Sequence, residues 1–225
     1  MIKKSLALAI AGCMMTASAM AALSPQARLS YSLGYQFGEN VRNNHIPIEP
    51  QIFTRAIRDA LTGAKPLVPP KEMAATVEGF QKQMAQRRMA AIRALAKQEQ
   101  AAGREFLAKN AKKPGVHVLS NGVQYKILHE GNGPRPTLDQ TVVADYSGSF
   151  INGHVFATTK TAGKPAVFPL RGLIKGLQDT VVRMPVGSTW QIYIPGHLAY
   201  GPRGNGPIPP NATLVFTMHL LSIKK

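Results

Sequence analysis

The chain has 225 residues, 27 Lys and Arg against 11 Asp and Glu, a formal charge of +16 at pH 7, and one cysteine. That length fills one large or two small domains, and a lone thiol excludes a disulfide framework, a thiolate metal site and, once Cys13 is removed with the leader, thiol catalysis. The cations are spread along the chain and form no compact block, which argues against nucleic acid as a partner and leaves anionic outer-membrane lipid as the better weak one.

Residues 1–21 read as a signal peptide. Lys3-Lys4 form the basic start, Leu6 to Met15 the apolar segment, and Ala19-Met20-Ala21 the cleavage site. Ile10-Ala11-Gly12-Cys13 has the form of a lipobox, but little sequence precedes Cys13 and the apolar segment runs past it. Cleavage after Ala21 is the expectation, with the mature protein in the periplasm or at the outer membrane of a bacterium.

Residues 22–68 are helical in pattern. Leu29, Leu33, Tyr35 and Phe37 predict a first helix ending near Asn43-Asn44. Phe53, Ile57 and Leu61 predict a second from Pro50, closed by Gly63. Pro69-Pro70 opens a third, and residues 69–113 continue it in Ala, Gln, Lys, Arg and Met with no proline before Pro114. Roughly 40 helical residues at about 1.5 Å each make a rod of about 60 Å. Met73, Val77, Phe80 and Met84 form an apolar stripe on it, continued sparsely by Met89, Ile92 and Leu95. Three such helices offer one chain little core, so the stripe predicts a homodimer, with a methionine-rich face as its adaptable contact.

The composition changes at Lys112-Lys113-Pro114-Gly115. Residues 114–225 predict a hairpin (116–119 and 123–128), a strand over 141–150 turned by Asn152-Gly153 into His154-Val155-Phe156, a short helix over 173–184, and strands over 189–194 and 213–223. The fold class is α+β: an N-terminal helical dimerisation domain, a long connecting helix, and an antiparallel sheet wrapped on one short helix.

Common catalytic apparatus is missing. The six histidines stand apart, without metal-ligand spacing, and Gly201 to Gly206 leads to Pro209-Pro210 and not to a helix that could hold phosphate. No cofactor and no metal are expected. An apolar cleft can still catalyse one reaction without acid, base or nucleophile. Rotation of a prolyl amide loses resonance, which underlies a barrier of about 18–20 kcal/mol. A dry aromatic pocket with a few fixed donors binds the twisted amide better than the planar one, and that difference lowers the barrier.

The run GSTWQIYIPGHLAYGPRGNGPIPPNATLVFTMHLLSI, from Gly187 to Ile223, has the order of strand, Tyr-tipped loop and final strand. With it, residues from about 115 resemble the FKBP family of peptidyl-prolyl isomerases. LSYSLGYQFGENV, the charged rod, KPGVHVLSNGVQYKI and MPVGSTWQIYIP extend the resemblance to the dimeric bacterial branch typified by the macrophage infectivity potentiator. The resemblance implies a V-shaped homodimer with one isomerase domain on each rod. It implies a cleft built from Tyr146, Phe156, Ile174, Tyr200 and Phe216 as catalytic residues, with Ala157, Leu173, Leu177 and Ile208 touching substrate. Met73, Val77, Phe80 and Met84, at the start of the connecting helix, are the expected dimerisation residues.

Two positions depart from the family. Ala157 stands where the pattern has Asp, and Leu177 where it has Trp; the single tryptophan is Trp190, on a strand. Loss of a charge and of a large flat surface predicts slower prolyl turnover and weak binding of macrolide inhibitors, if any. The expected function is an exported prolyl isomerase acting on proline-containing segments of unfolded or surface-exposed chains. The alternative is a non-catalytic dimeric holdase that uses the same cleft for clients.

Overall fold

A computed structural model describes residues 23–224; the expected signal peptide and Cys13 lie outside the described residues. Helix α1 (Pro25–Asn43) begins where Ser24 accepts a hydrogen bond from the Ala27 N–H at 3.2 Å, and α2 (Pro50–Thr62) ends on Gly63, whose φ of 71° is the left-handed cap that glycine permits. Phe37 of α1 stacks on Phe53 of α2 with ring centroids 4.8 Å apart. Only Val41 is buried in these two helices.

Helix α3 runs from Pro70 to Asn110, started by the Pro69 carbonyl, which accepts from the Glu72 and Met73 N–H groups. Compact packing divides the chain between Ala75 and Thr76. The later part of α3 therefore belongs with the sheet, and the reason is local. Asn110 donates to Gln124 Oε1 at 3.0 Å, Gln124 donates to the Leu107 carbonyl at 2.9 Å, and the Phe106 ring lies 5.9 Å from that of Tyr193. Gly103 sits so close to Thr213 that a β-carbon there would collide with its hydroxyl.

Seven strands follow: β1 (Val116–Val118), β2 (Gln124–His129), β3 (Thr141–Phe150), β4 (Val155–Thr158), β5 (Ala166–Pro169), β6 (Thr189–Ile194) and β7 (Leu214–Lys224). All pairs are antiparallel, in the order β1-β2-β6-β7-β3-β4. Strand β3 serves two partners on its outer edge, β5 along Thr141–Ala144 and β4 along Ser147–Ser149. The sequence reading missed β5, a four-residue strand too short to show alternation.

One short helix, α4 (Lys175–Val181), lies on the apolar face of the sheet; a β-carbon on its Gly176 would strike the Ile194 side chain. It occupies fewer residues than the 173–184 predicted, because Leu173 and Ile174 are extended and Pro185 follows Met184. The core between helix and sheet includes Leu177, Val181, Met184, Trp190, Ile192, Leu214, Met218 and Leu220, each at most 4% exposed.

Candidate active site

Register decides which side chains share the helix-facing side of the sheet. Tyr146, Met218 and Trp190 are cross-strand partners on β3, β7 and β6, and so are Gly148, Phe216 and Ile192 one step along. Phe156 comes from β4, where Ala157 pairs with Gly148. The aromatic rings meet edge to face: Phe156 and Phe216 at 5.9 Å and 84°, Tyr146 and Phe168 at 5.5 Å and 63°.

Gly148 makes this arrangement possible. A β-carbon there would lie 2.8 Å from Phe216 and 2.9 Å from Phe156, so both rings cross the backbone where another residue would put its side chain. Tyr146 is held at both main-chain atoms by Thr159: its N–H donates to Thr159 Oγ1 at 3.1 Å and its carbonyl accepts from the Thr159 N–H at 3.0 Å.

The far wall is the turn into α4. Ile174 caps that helix, its carbonyl accepting from Leu177 and Gln178 N–H groups. Its own N–H has no acceptor among the described residues. Gln178 fixes the turn by donating to the carbonyls of Leu173 at 2.7 Å and Arg171 at 3.1 Å. Tyr200 caps a short 3-10 turn over Gly201–Arg203 and packs half-buried against the core; its hydroxyl also lacks a partner among the described residues.

Together these groups line a cleft of about 200 Å³, walled by Tyr146, Phe156, Phe168, Tyr200 and Phe216 and floored by Leu177 and Met218, with Ala157, Leu173 and Ile174 at its edge. No charged side chain lines it. Eight of the nine expected cleft residues thus come together. Ile208 does not: it is 6% exposed, joined to Asn205 by a pair of backbone hydrogen bonds, and packed into the core beneath the loop. Sequence reading missed Gly148, Thr159, Phe168, Gln178 and Met218. For Met218 the alternation of β7 with Phe216 was an available signal. A larger hollow of about 450 Å³ between the end of α3 and the sheet is lined by Gln100, Arg104, Gln124, His197, Asn211 and Thr213 among aliphatic groups and has no Phe, Tyr or Trp in its wall.

A hollow of this kind can do little proton chemistry. It can exclude water, pack a five-membered ring against aromatic faces, and offer an N–H and a hydroxyl to carbonyl oxygens. No cluster able to hold a metal ion is found among the described residues.

Residues 133–221 match the model of the FKBP-type peptidyl-prolyl cis-trans isomerase domain, and residues 26–127 match the domain amino-terminal to it. The chain is 39% identical to the outer membrane protein MIP of Legionella longbeachae over 97% of this chain and 94% of that one. It is 41% identical to the peptidyl-prolyl cis-trans isomerase Mip of Coxiella burnetii over 89% and 87%. The crystal structure of FkpA from Escherichia coli superposes with a TM-score of 0.74 at 30% identity, covering 89% of this chain and 97% of that one.

Proposed function

We infer the work of the cleft from the family to which this chain belongs, the FKBP-type peptidyl-prolyl cis-trans isomerases. The reaction is rotation about the bond preceding proline. The proline ring enters the hollow beneath Tyr200, against Tyr146, Phe156 and Phe216. The Ile174 N–H takes one substrate carbonyl and the Tyr200 hydroxyl another. As the amide twists, its nitrogen becomes pyramidal and its carbonyl gives up resonance with that nitrogen. Dry aromatic walls lose nothing by this change, whereas water loses a good hydrogen-bonded dipole. The observation that carries this reading is the conjunction of an uncharged aromatic cleft with two unpartnered donors at its rim.

Turnover is reduced relative to the family because Ala157 and Leu177 leave the cleft without a carboxylate and without a large floor. A cleft of about 200 Å³ also falls below the ~300–1,000 Å³ of sites that enclose drug-sized ligands, which favours weak macrolide binding. The clients are proline-containing segments of exported chains, in the periplasm or at the outer membrane, where slow prolyl steps of about 10–100 s limit folding. The chain acts as a homodimer through residues 22–68 and the stripe Met73, Val77, Phe80 and Met84, and carries residues 114–225 as the isomerase domain on the helix of residues 69–113.

The same two substitutions favour a second reading, in which the cleft holds clients and does not turn them over. A tetrapeptide cis/trans assay on the purified chain and on the Ala157→Asp, Leu177→Trp double variant separates the two. The parent should catalyse, and the variant should gain on the order of tenfold in kcat/KM, the factor a large apolar contact provides. A parent without measurable catalysis that nevertheless suppresses aggregation of a refolding client makes the protein a holdase.

A further inference from the structure

The outer edge of β3 has a gap beside the cleft. Strand β5 pairs with that edge as far as Ala144, and β4 pairs with it from Ser147 onward. Asp145 and Tyr146 lie between the two, without a strand partner on that side. The β4 register, Ser147 with Thr158 and Gly148 with Ala157, extrapolates to a pairing of Tyr146 with Thr159. In a regular antiparallel pair the two residues would exchange both main-chain hydrogen bonds. Thr159 keeps one of them: its N–H donates to the Tyr146 carbonyl at 3.0 Å. The other would need the Thr159 carbonyl, but that carbonyl accepts from the Ala162 N–H at 3.1 Å as the chain turns toward β5. The side chain takes its place. The Thr159 hydroxyl accepts from the Tyr146 N–H at 3.1 Å and donates to the Tyr146 carbonyl at 3.3 Å. At 6% exposure, Thr159 leaves water little access to stand in for that hydroxyl.

We propose that Thr159 is a positioning residue for prolyl turnover: its hydroxyl sets the Tyr146 wall of the cleft for amide rotation without touching substrate. Thr159 is not among the cleft's lining residues, so it can act only through Tyr146. The Tyr146 ring has no polar anchor of its own. Its hydroxyl has no hydrogen-bond partner among the described residues, and its neighbours Phe168 and Phe216 offer packing alone, with ring centroids at 5.5 and 6.4 Å. Where the ring stands is therefore decided at its backbone. Thr159 also follows Phe156 by three residues, so the bonds from Thr159 to Tyr146 fix the spacing of two aromatic walls, one on β4 and one on β3. Valine has the shape of threonine without the acceptor. With valine at this position the Tyr146 N–H loses its partner and the edge of β3 is free to shift. Wall spacing matters most to the twisted amide, which is held by close aromatic faces, and less to the planar ground state. The proposal rests on the isomerase reading of the cleft and adds a group outside it that governs the rate.

The test is the tetrapeptide cis/trans assay, with kcat and KM resolved, on the purified chain and on Thr159→Val, Thr159→Ala and Thr159→Ser. The Val and Ala variants should lower kcat by about 3- to 10-fold, within the worth of one hydrogen bond, and leave KM nearly unchanged. The Ser variant keeps the hydroxyl and should stay within about 2-fold of the parent. Exchange of the Tyr146 amide proton, followed by NMR, should quicken in the Val and Ala variants and not in Ser. If the Val variant does not fold, Ala carries the comparison. Asn110→Leu weakens the fold away from the cleft and controls for stability: assayed where it is as fully folded as the Thr159 variants, it should keep the parental kcat. Val and Ala variants that turn over like the parent would overturn the proposal. So would a Ser variant that fails with them, or an Asn110→Leu variant that loses as much. A parent without turnover would sink the isomerase reading and this proposal together, whereas an active parent equalled by Thr159→Val sinks this proposal alone.

Discussion

The rings of Phe156 and Phe216 take up the space beside Gly148 that a β-carbon would need, at 2.9 and 2.8 Å. Gly148→Ala asks for no unusual backbone angle, so its cost is steric alone. The added methyl should push one or both rings into a hollow of only about 200 Å³. Overpacking of this kind costs about 1–3 kcal/mol of stability, read as a lower urea midpoint, and the tetrapeptide rate should fall more than stability explains. Unchanged turnover in a folded Gly148→Ala protein would mean that ring positions do not set the rate. Tyr200 offers the converse case. Its hydroxyl bonds to nothing within the described fold, so Tyr200→Phe should leave the unfolding midpoint where it is. Catalysis should still drop by about 2- to 10-fold, the worth of one hydrogen bond of roughly 0.5–1.5 kcal/mol.

Among the elements, the junction of α3 with the sheet stands on a few polar contacts and is correspondingly brittle. Asn110 is fully buried and donates to the almost buried Gln124. Asn110→Leu strands the Gln124 carbonyl oxygen and should cost about 1–3 kcal/mol in chemical denaturation while leaving the cleft intact. Tyr193 gives the junction a pH signature. Burial raises its hydroxyl pKa above the usual tyrosine range, against a smaller pull from Asn110. The folded state thus keeps that proton longer than the unfolded one. Its contribution is complete below the unfolded value of about 10 and is lost as pH rises through the folded value. Tyr193→Phe should flatten the fall of stability in that alkaline window; an identical pH profile would remove Tyr193 as its cause. The sequence announced these elements unevenly, for physical reasons. Long periodic segments were legible: α1, α2 and α3 follow the spacing of Leu29, Phe53 and Met73 and their neighbours, and β3 and β6 fall on the predicted 141–150 and 189–194. Aromatic cleft residues were legible through resemblance. What escaped depends on register and close approach: β5 as an extra partner of β3, Gly148 beneath two rings, Gln178 bracing the turn, and Ile208 turned inward by its bridge to Asn205. None of these leaves a trace in local composition.

For the molecule as a whole, the distribution of apolar surface is lopsided. The sheet buries most of its large apolar side chains, exposing Val118, Leu128, Val155 and Val167, but in the helices Tyr31 of α1 is 68% exposed, Leu61 of α2 is 83% exposed and Val77 of α3 is 54% exposed. Soluble monomers rarely leave contiguous apolar patches open, and the stripe Met73, Val77, Phe80 and Met84 recurs with helical spacing along one side of α3. A second copy of the chain would cover such a stripe with its own equivalent, as two-fold association requires. Val77→Glu, Phe80→Glu, Met84→Glu should therefore turn a sedimenting dimer into a monomer. Each cleft is complete within one chain, so the tetrapeptide rate per site should not change. Large unfolded clients are a different matter, because two weak clefts on one dimer gain by effective concentration, a factor that can reach about 10²–10⁴. Suppression of client aggregation should collapse in the monomer while peptide turnover persists. A triple variant that still sediments as a dimer would place the contact elsewhere, on α1 or α2, and a monomer that protects clients as well as the parent does would show that one cleft suffices.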